Sequence, residues 1–225
     1  SAGVMITPNH VCYPDPFLLA EAASQCGQPF YFMTAWQVFG TASWIQREVL
    51  RRIGCFSVDR EGNDVRAFRT AVEILKSKPN PLVVFPEGEM YHTNDLIMPF
   101  HEGAARMLLT AASRSDRPVA CLPAALRYEY TVDPTPELLL LVDELEDRFF
   151  WRPRSDMALV ERIYRVAEAA LALKEIEQLG ETQTGTVPDR LRALCEAILE
   201  RLETQAGLNG REKITSVRVK QLRQY

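Results

Sequence analysis

The segment Pro8-Asn9-His10-Val11-Cys12-Tyr13-Pro14-Asp15-Pro16 sets a histidine and an aspartate on either side of a proline-braced turn. An aspartate there can accept the imidazole Nδ1–H, fix the tautomer and stabilise the imidazolium, leaving Nε2 to take a proton from a hydroxyl. The same residues could also form a purely structural His–Asp hydrogen bond. A second segment, Gly54-Cys55-Phe56-Ser57-Val58-Asp59-Arg60, ends on a guanidinium suited to a two-pronged phosphate contact. Arg60 could equally pair with Asp59 or Glu61. In Phe85-Pro86-Glu87-Gly88, Glu87 could bind substrate hydroxyls or brace the site, and Gly88 permits close backbone approach. A fourth segment carries Pro123 inside an apolar run, which predicts a strand edge, a bulge or a bend beside a pocket.

Other chemistries compete for these residues. Cys12 beside His10 could make a cysteine hydrolase, but residues two apart on an extended segment point to opposite faces. His10, Asp15, His92 and His101 could hold a metal, yet they lack paired ligand spacing.

Elements able to position these loops alternate along the chain. Short apolar runs at Val4–Thr7, Phe30–Met33, Cys55–Val58, Leu82–Phe85, Val119–Arg127 and Glu137–Asp143 read as strands. Helical periodicity marks Pro16–Cys26, Thr41–Ile53, Asp64–Lys76 and Glu102–Ala112. The alternation predicts an α/β fold: a mixed, largely parallel sheet flanked by helices, with the chemistry on loops at strand ends. In Thr41–Ile53, Trp44, Ile45, Val49, Leu50 and Ile53 lie close to one face.

Beyond about Arg154 the chain turns rich in alanine and leucine. Asp156–Leu179 and the stretch after Pro188 predict a helical hairpin around a break at Gly180–Thr186. The expected division is a catalytic domain at 1–154, a helical annex packed on it at 155–210, and a solvated basic tail at 211–225. No internal repeat is visible.

Composition narrows the classes. Hydrophobic residues make up 47% and charged residues 25%, as in an ordinary globular protein. The formal net charge of −4 argues against a nucleic-acid partner. The five cysteines are scattered, which fits a reduced, cytosolic compartment rather than a disulfide framework. No run approaches a transmembrane span or a signal peptide. The abrupt start at a strand predicts that a longer natural protein has residues upstream.

Taken together and in order, the segments resemble the glycerol-3-phosphate and lysophosphatidate (1-acylglycerol-3-phosphate) acyltransferases. That family carries a His-x4-Asp block, a Gly-x-x-Phe-x-x-x-Arg block, a Phe-Pro-Glu-Gly block and a later proline block. Here they stand as His10/Asp15, Gly54/Phe56/Arg60 (Gly54 one position closer to Phe56 than in that block), Phe85–Gly88 and Pro123, and Pro99–Ala105 looks like a further Pro-Phe-x-x-Gly-Ala segment. The likeness covers about residues 4–127. It implies direct transfer of a fatty acyl group from acyl-CoA or acyl-carrier protein to a hydroxyl of a glycerol-phosphate or lysolipid acceptor. His10 would be the general base and Asp15 its orienter. Arg60 would hold the acceptor phosphate, Phe85, Glu87 and Gly88 would shape the acceptor site, and Pro123 would belong to the acyl-donor side. The resemblance implies no metal and no cofactor beyond the thioester co-substrate, and peripheral association with the inner, cytoplasmic face of a membrane. Trp36, Phe39, Trp44 and Phe100 are candidate walls of an acyl groove.

The chain departs from the family pattern at Glu89 and Met90, where the family usually has Thr and Arg. This removes a hydroxyl and a phosphate-binding cation, and turns the expected acceptor toward a lysophospholipid or a phosphate-free alcohol or amine. His92 or Arg106 could supply the missing charge. Cys12 stands where the family often has Ser. An alternative consistent with these departures is an acyltransferase-like module that binds lipid or serves as a scaffold without turnover.

Overall fold

The computed structural model describes residues 2–60, 62, 64–208 and 215–224. Two compact units divide after Glu129.

The first unit contains β1 (Gly3–Pro8), α1 (Asp15–Gln25), β2 (Tyr31–Ala35), α2 (Trp36–Thr41), α3 (Trp44–Arg52), β3 (Cys55–Val58), α4 (Val65–Ser77), β4 (Leu82–Val83), α5 (Glu102–Ser113) and β5 (Val119–Ala124). Its strands form one sheet in the order β3-β2-β4-β1-β5, and every pair is parallel. Parallel pairing needs a long return connection, and helices make these crossovers.

Strand alternation splits the core between the two faces. Met5, Leu82 and Val84 pack with Ala71, Leu75, Met107 and Ala111 of α4 and α5. Their neighbours Ile6 and Val83 pack with Leu19, Ala23 and Phe32 on the opposite face. All strand C-terminal ends meet at one edge. Because β1 and β4 are neighbours, the loops carrying His10 and Glu87 emerge side by side.

Two strands and one helix differ from the sequence reading. The Leu82–Phe85 run pairs as a strand only at Leu82–Val83. Val84 N–H still donates to Ile6 O at 3.0 Å, but Pro86 has no N–H to extend the ladder. The expected helix Thr41–Ile53 is broken at Ala42–Ser43. Ser43 starts α3 with a capping box: its hydroxyl accepts from Gln46 N–H (3.4 Å), and its N–H donates to Gln46 Oε1 (2.8 Å). Proline does mark an edge, for β5 is an outer strand with Pro123 opposite Thr7.

The second unit is helical: α6 (Thr135–Arg148), α7 (Leu159–Leu179), α8 (Val187–Ala206) and α9 (Thr215–Gln224). The expected strand at Glu137–Asp143 is instead the first half of α6. Pro136 suits an initial turn, and Val142 and Glu146, four residues apart, are the buried positions of this helix. A short apolar run is ambiguous by itself, and helical burial decides it here. The expected hairpin is α7 and α8, with Gly180 ending α7 at φ +86°.

The absence of an internal repeat does not hold. Arg162, Arg190 and Arg218 are each the fourth residue of their helix. Each pairs with a buried glutamate of the preceding helix: Glu146 at 2.7 Å, Glu175 at 2.7 Å and Glu203 at 2.8 Å. Four residues before each glutamate lies a buried aliphatic residue, Val142, Leu171 or Leu199. Glu146 also accepts Arg154 N–H, and Glu175 accepts Gln183 N–H, so both clamp the loop that follows. The same device recurs from helix to helix. The solvated tail is corrected in part, for Arg223 is exposed. Arg211 and Lys213 lie outside the described residues, but Arg218 is buried in α9.

Among the described residues no helix is long and apolar enough to cross a membrane.

Candidate active site

β1 ends at Pro8, and the chain turns through Asn9–Pro14 before α1 begins at Asp15. Within this turn the Asp15 carboxylate is fully buried and gathers its own loop. Its Oδ2 accepts Val11 N–H at 2.7 Å and Cys12 N–H at 3.0 Å, and lies 2.8 Å from His10 Nδ1. Its Oδ1 accepts the Tyr128 hydroxyl at 2.6 Å. Burial pushes the Asp15 carboxyl up, but the bonds from Tyr128, His10 and the two backbone N–H groups outweigh it and hold the group below its ordinary range. An ionised acceptor at Nδ1 fixes the Nδ1–H tautomer and leaves Nε2 as the basic nitrogen. The His10 side chain is 18% exposed, which leaves part of the ring open to a substrate.

The neighbouring β4 loop supports His10 from below and behind. The Phe85 ring stacks on the imidazole with centroids 4.2 Å apart and planes at 24°. Glu87 is 2% exposed. One of its oxygens accepts His10 N–H at 2.8 Å and the other Met98 N–H at 2.9 Å. Of the two uses open to Glu87 in the sequence, these bonds make it a brace. Gly88 has φ +74°, and a Cβ there would stand 2.5 Å from His101 Cδ2. This position needs both the left-handed backbone and the missing side chain.

Arg60 reaches the same loop from β3, donating to the Gly88 carbonyl. It therefore lies at the site, bonded to backbone; Glu61, one of the two partners open to it in the sequence, lies outside the described residues. Pro123 sits on β5 opposite Thr7, three residues before His10 in the adjacent strand. Glu89 is exposed. His92 packs its ring near Tyr13, with centroids 5.8 Å apart, and Arg106 is exposed on α5. Of the candidate groove walls, Trp36 and Phe39 line a cavity of about 630 Å³ with Phe56, Arg47 and Arg66. Trp44 and Phe100 are 78% and 60% exposed.

The sequence reading missed Tyr128. It is 113 residues from its partner, and no local pattern marks it. Two asparagines hold its segment in place. Asn9 Nδ2 donates to Leu126 O at 3.0 Å, and Asn9 Oδ1 accepts Leu126 N–H at 2.6 Å. Asn94 grips the Tyr128 backbone the same way, accepting its N–H at 2.8 Å and donating to its carbonyl. Each asparagine mimics a strand partner and continues the sheet edge beyond β5.

The thiol reading finds little support. Cys12 Sγ lies 3.7 Å from Asp15 Oδ1, and burial pushes its thiol up, with Asp15 adding to the rise. A thiol held protonated is a weak nucleophile. Among the described residues no three His, Cys, Asp or Glu side chains gather where they could hold a metal ion.

A family model described as Acyltransferase matches residues 1–126, over half of the chain. The chain belongs to the acyltransferase family. No curated protein sequence matches it. The matched stretch of this acyltransferase spans all five strands and includes His10, Asp15, Arg60, Phe85, Glu87, Gly88 and Pro123. It ends just short of Tyr128.

Proposed function

We propose that this acyltransferase moves a fatty acyl group directly from a thioester, acyl-CoA or acyl-carrier protein, to a hydroxyl of a lysophospholipid or glycerol-phosphate-type acceptor. The observation that carries the reading is the 2.8 Å contact between His10 Nδ1 and the buried Asp15 carboxylate. His10 Nε2 takes the acceptor hydroxyl proton as its oxygen attacks the thioester carbonyl. The tetrahedral intermediate collapses, the C–S bond breaks, and the departing thiolate takes the proton back from the imidazolium. Asp15 stabilises that imidazolium and holds its plane. Phe85 and Glu87 fix the ring and its backbone, and Pro123 lies toward the acyl donor. Catalysis of this kind needs no metal.

The acceptor reading rests on charge. Glu89 and Met90 bring no cation to the loop, and Arg60 is already bonded to the Gly88 carbonyl. A free phosphate dianion would have to compete for Arg60 and sit near Glu89. A lysophospholipid, whose phosphate is a diester of single charge, fits better. A lysolipid acceptor and a fatty acyl chain would bring the chain to a membrane surface, and the scattered cysteines fit its cytoplasmic face.

The test is acyl transfer from labelled acyl-CoA and acyl-carrier protein to glycerol-3-phosphate, lysophosphatidate, lysophospholipids and lyso-aminolipids. Preference for acceptors without a terminal phosphate supports the reading. Preference for glycerol-3-phosphate, abolished by Arg60→Ala, contradicts the acceptor assignment. Lipid binding without turnover for any pair would favour a binding module.

A further inference from the structure

The α3 helix is amphipathic in the wrong direction for a soluble surface helix. Such a helix turns its apolar stripe to the core, yet none of the residues of α3 is buried. Ile45 and Val49, with Ile53 at the C-cap, fall at four-residue steps on one line and are 56%, 52% and 57% exposed. The orientation is fixed by hydrogen bonds. Arg47, on the other side of the helix, donates Nε to Phe39 O at 2.7 Å and Ala42 O at 3.0 Å, and Nη2 to Gly40 O at 3.1 Å. Two carbonyls of α2 and that of Ala42 just after it thus tie the Arg47 side of the helix to the preceding element and leave the apolar stripe on the opposite side.

The charges of the helix name the partner of the stripe. α3 carries Arg47, Arg51 and Arg52 against one acid, Glu48, in a chain of formal net charge −4. Glu48 pairs with Arg52 at 3.0 Å and Arg51 at 4.0 Å, which leaves the helix surplus positive. An exposed aliphatic line on one side of a helix with surplus arginine is the pattern of a helix lying in the headgroup layer of an anionic membrane.

We propose that α3 is the membrane-docking surface of this protein, lying flat on an anionic bilayer with Ile45, Val49 and Ile53 inserted and Arg51 and Arg52 reaching the headgroups. The proposal rests on the reading that the acceptor is a lipid. Docking brings the acceptor to the enzyme by two-dimensional diffusion.

Co-sedimentation of the full chain with phosphatidylcholine vesicles, with and without phosphatidylglycerol, tests it. The expected result is binding that requires phosphatidylglycerol. It should fall at least about tenfold in the Ile45→Ser/Val49→Ser/Ile53→Ser variant, given the apolar area withdrawn. Arg51→Ala/Arg52→Ala should lose the preference for phosphatidylglycerol. Wild type that ignores both vesicle types overturns the proposal, as does a serine variant that binds as wild type does. A wild-type dimer that the serine variant dissolves also overturns it, and assigns the stripe to a second copy. Transfer to a short-chain acceptor dissolved as monomers separates the two readings. It should be the same in wild type and serine variant, whose circular dichroism confirms folding. Vesicle binding without any such transfer sinks the acyl-transfer reading alone, whereas transfer without vesicle binding sinks the docking proposal alone.

Discussion

Glu87→Gln keeps the shape of a buried side chain and removes half of its acceptor capacity. The two carboxylate oxygens serve two backbone donors, His10 N–H at 2.8 Å and Met98 N–H at 2.9 Å. Glutamine has one carbonyl oxygen, so in either orientation its NH2 faces one of these N–H groups. One buried donor is left unsatisfied, and a charge-assisted bond becomes a neutral one. Together these cost about 1–3 kcal/mol, which lowers the melting temperature of the chain by roughly 3–10 °C. His10 is the residue whose backbone is released, and a displaced base slows transfer by about tenfold to a hundredfold. The acceptor KM should barely change, because a positioning residue does not touch the acceptor. Thermal unfolding and steady-state kinetics, run on the same preparation, read both effects. An unchanged melting temperature with a raised acceptor KM would refute the bracing argument and return Glu87 to the substrate.

Other positions give sharper local tests. Tyr128→Phe removes the 2.6 Å hydroxyl bond to Asp15 and should slow transfer by about three- to tenfold. Asp15 is held below the ordinary carboxylate value, so its ionisation contributes stability above the unfolded value, about 3.9, and that contribution is lost as pH falls through the folded value. Without Tyr128 the folded value rises, and acid unfolding followed by circular dichroism should begin at a higher pH. Gly88→Ala forces a Cβ into a left-handed backbone and against His101; a melting curve should show a loss of about 1–3 kcal/mol, only partly recovered in Gly88→Ala/His101→Ala. Glu146→Ala strands Arg162 in a buried position with Asp143 as its remaining close acid, and should cost the helical unit about 2–4 kcal/mol in chemical denaturation.

Much of the site was legible because its blocks are local. His10 and Asp15 meet within one turn, and Phe85–Gly88 form one strand-end loop. Their convergence follows from β1 lying beside β4, which alternating apolar runs make plausible but do not dictate. Tyr128 was illegible because its bond to Asp15 depends on a chain path set by Asn9 and Asn94, and nothing near Tyr128 records it. Glu87 showed both of its possible uses, and only burial chose between them. In the helical unit, the Leu138–Val142 run satisfies strand and helix patterns alike, and helix burial at Val142 and Glu146 decided it. The recurrent Arg–Glu pairs escaped notice because charged residues are read as solvent-facing. Their regular step is visible only once the partners are known to be buried.

The central claim is that His10 acts as the base in direct acyl transfer. It is tested most directly by mixing wild type, His10→Ala and Cys12→Ser with labelled acyl thioester and the best acceptor, and following both acylated product and acyl-enzyme by mass spectrometry. The account predicts that His10→Ala loses turnover by about a thousandfold or more, that Cys12→Ser stays close to wild type, and that no acyl-enzyme accumulates. An acylated Cys12 in wild type, with turnover lost in Cys12→Ser, would contradict it, as would full turnover in His10→Ala.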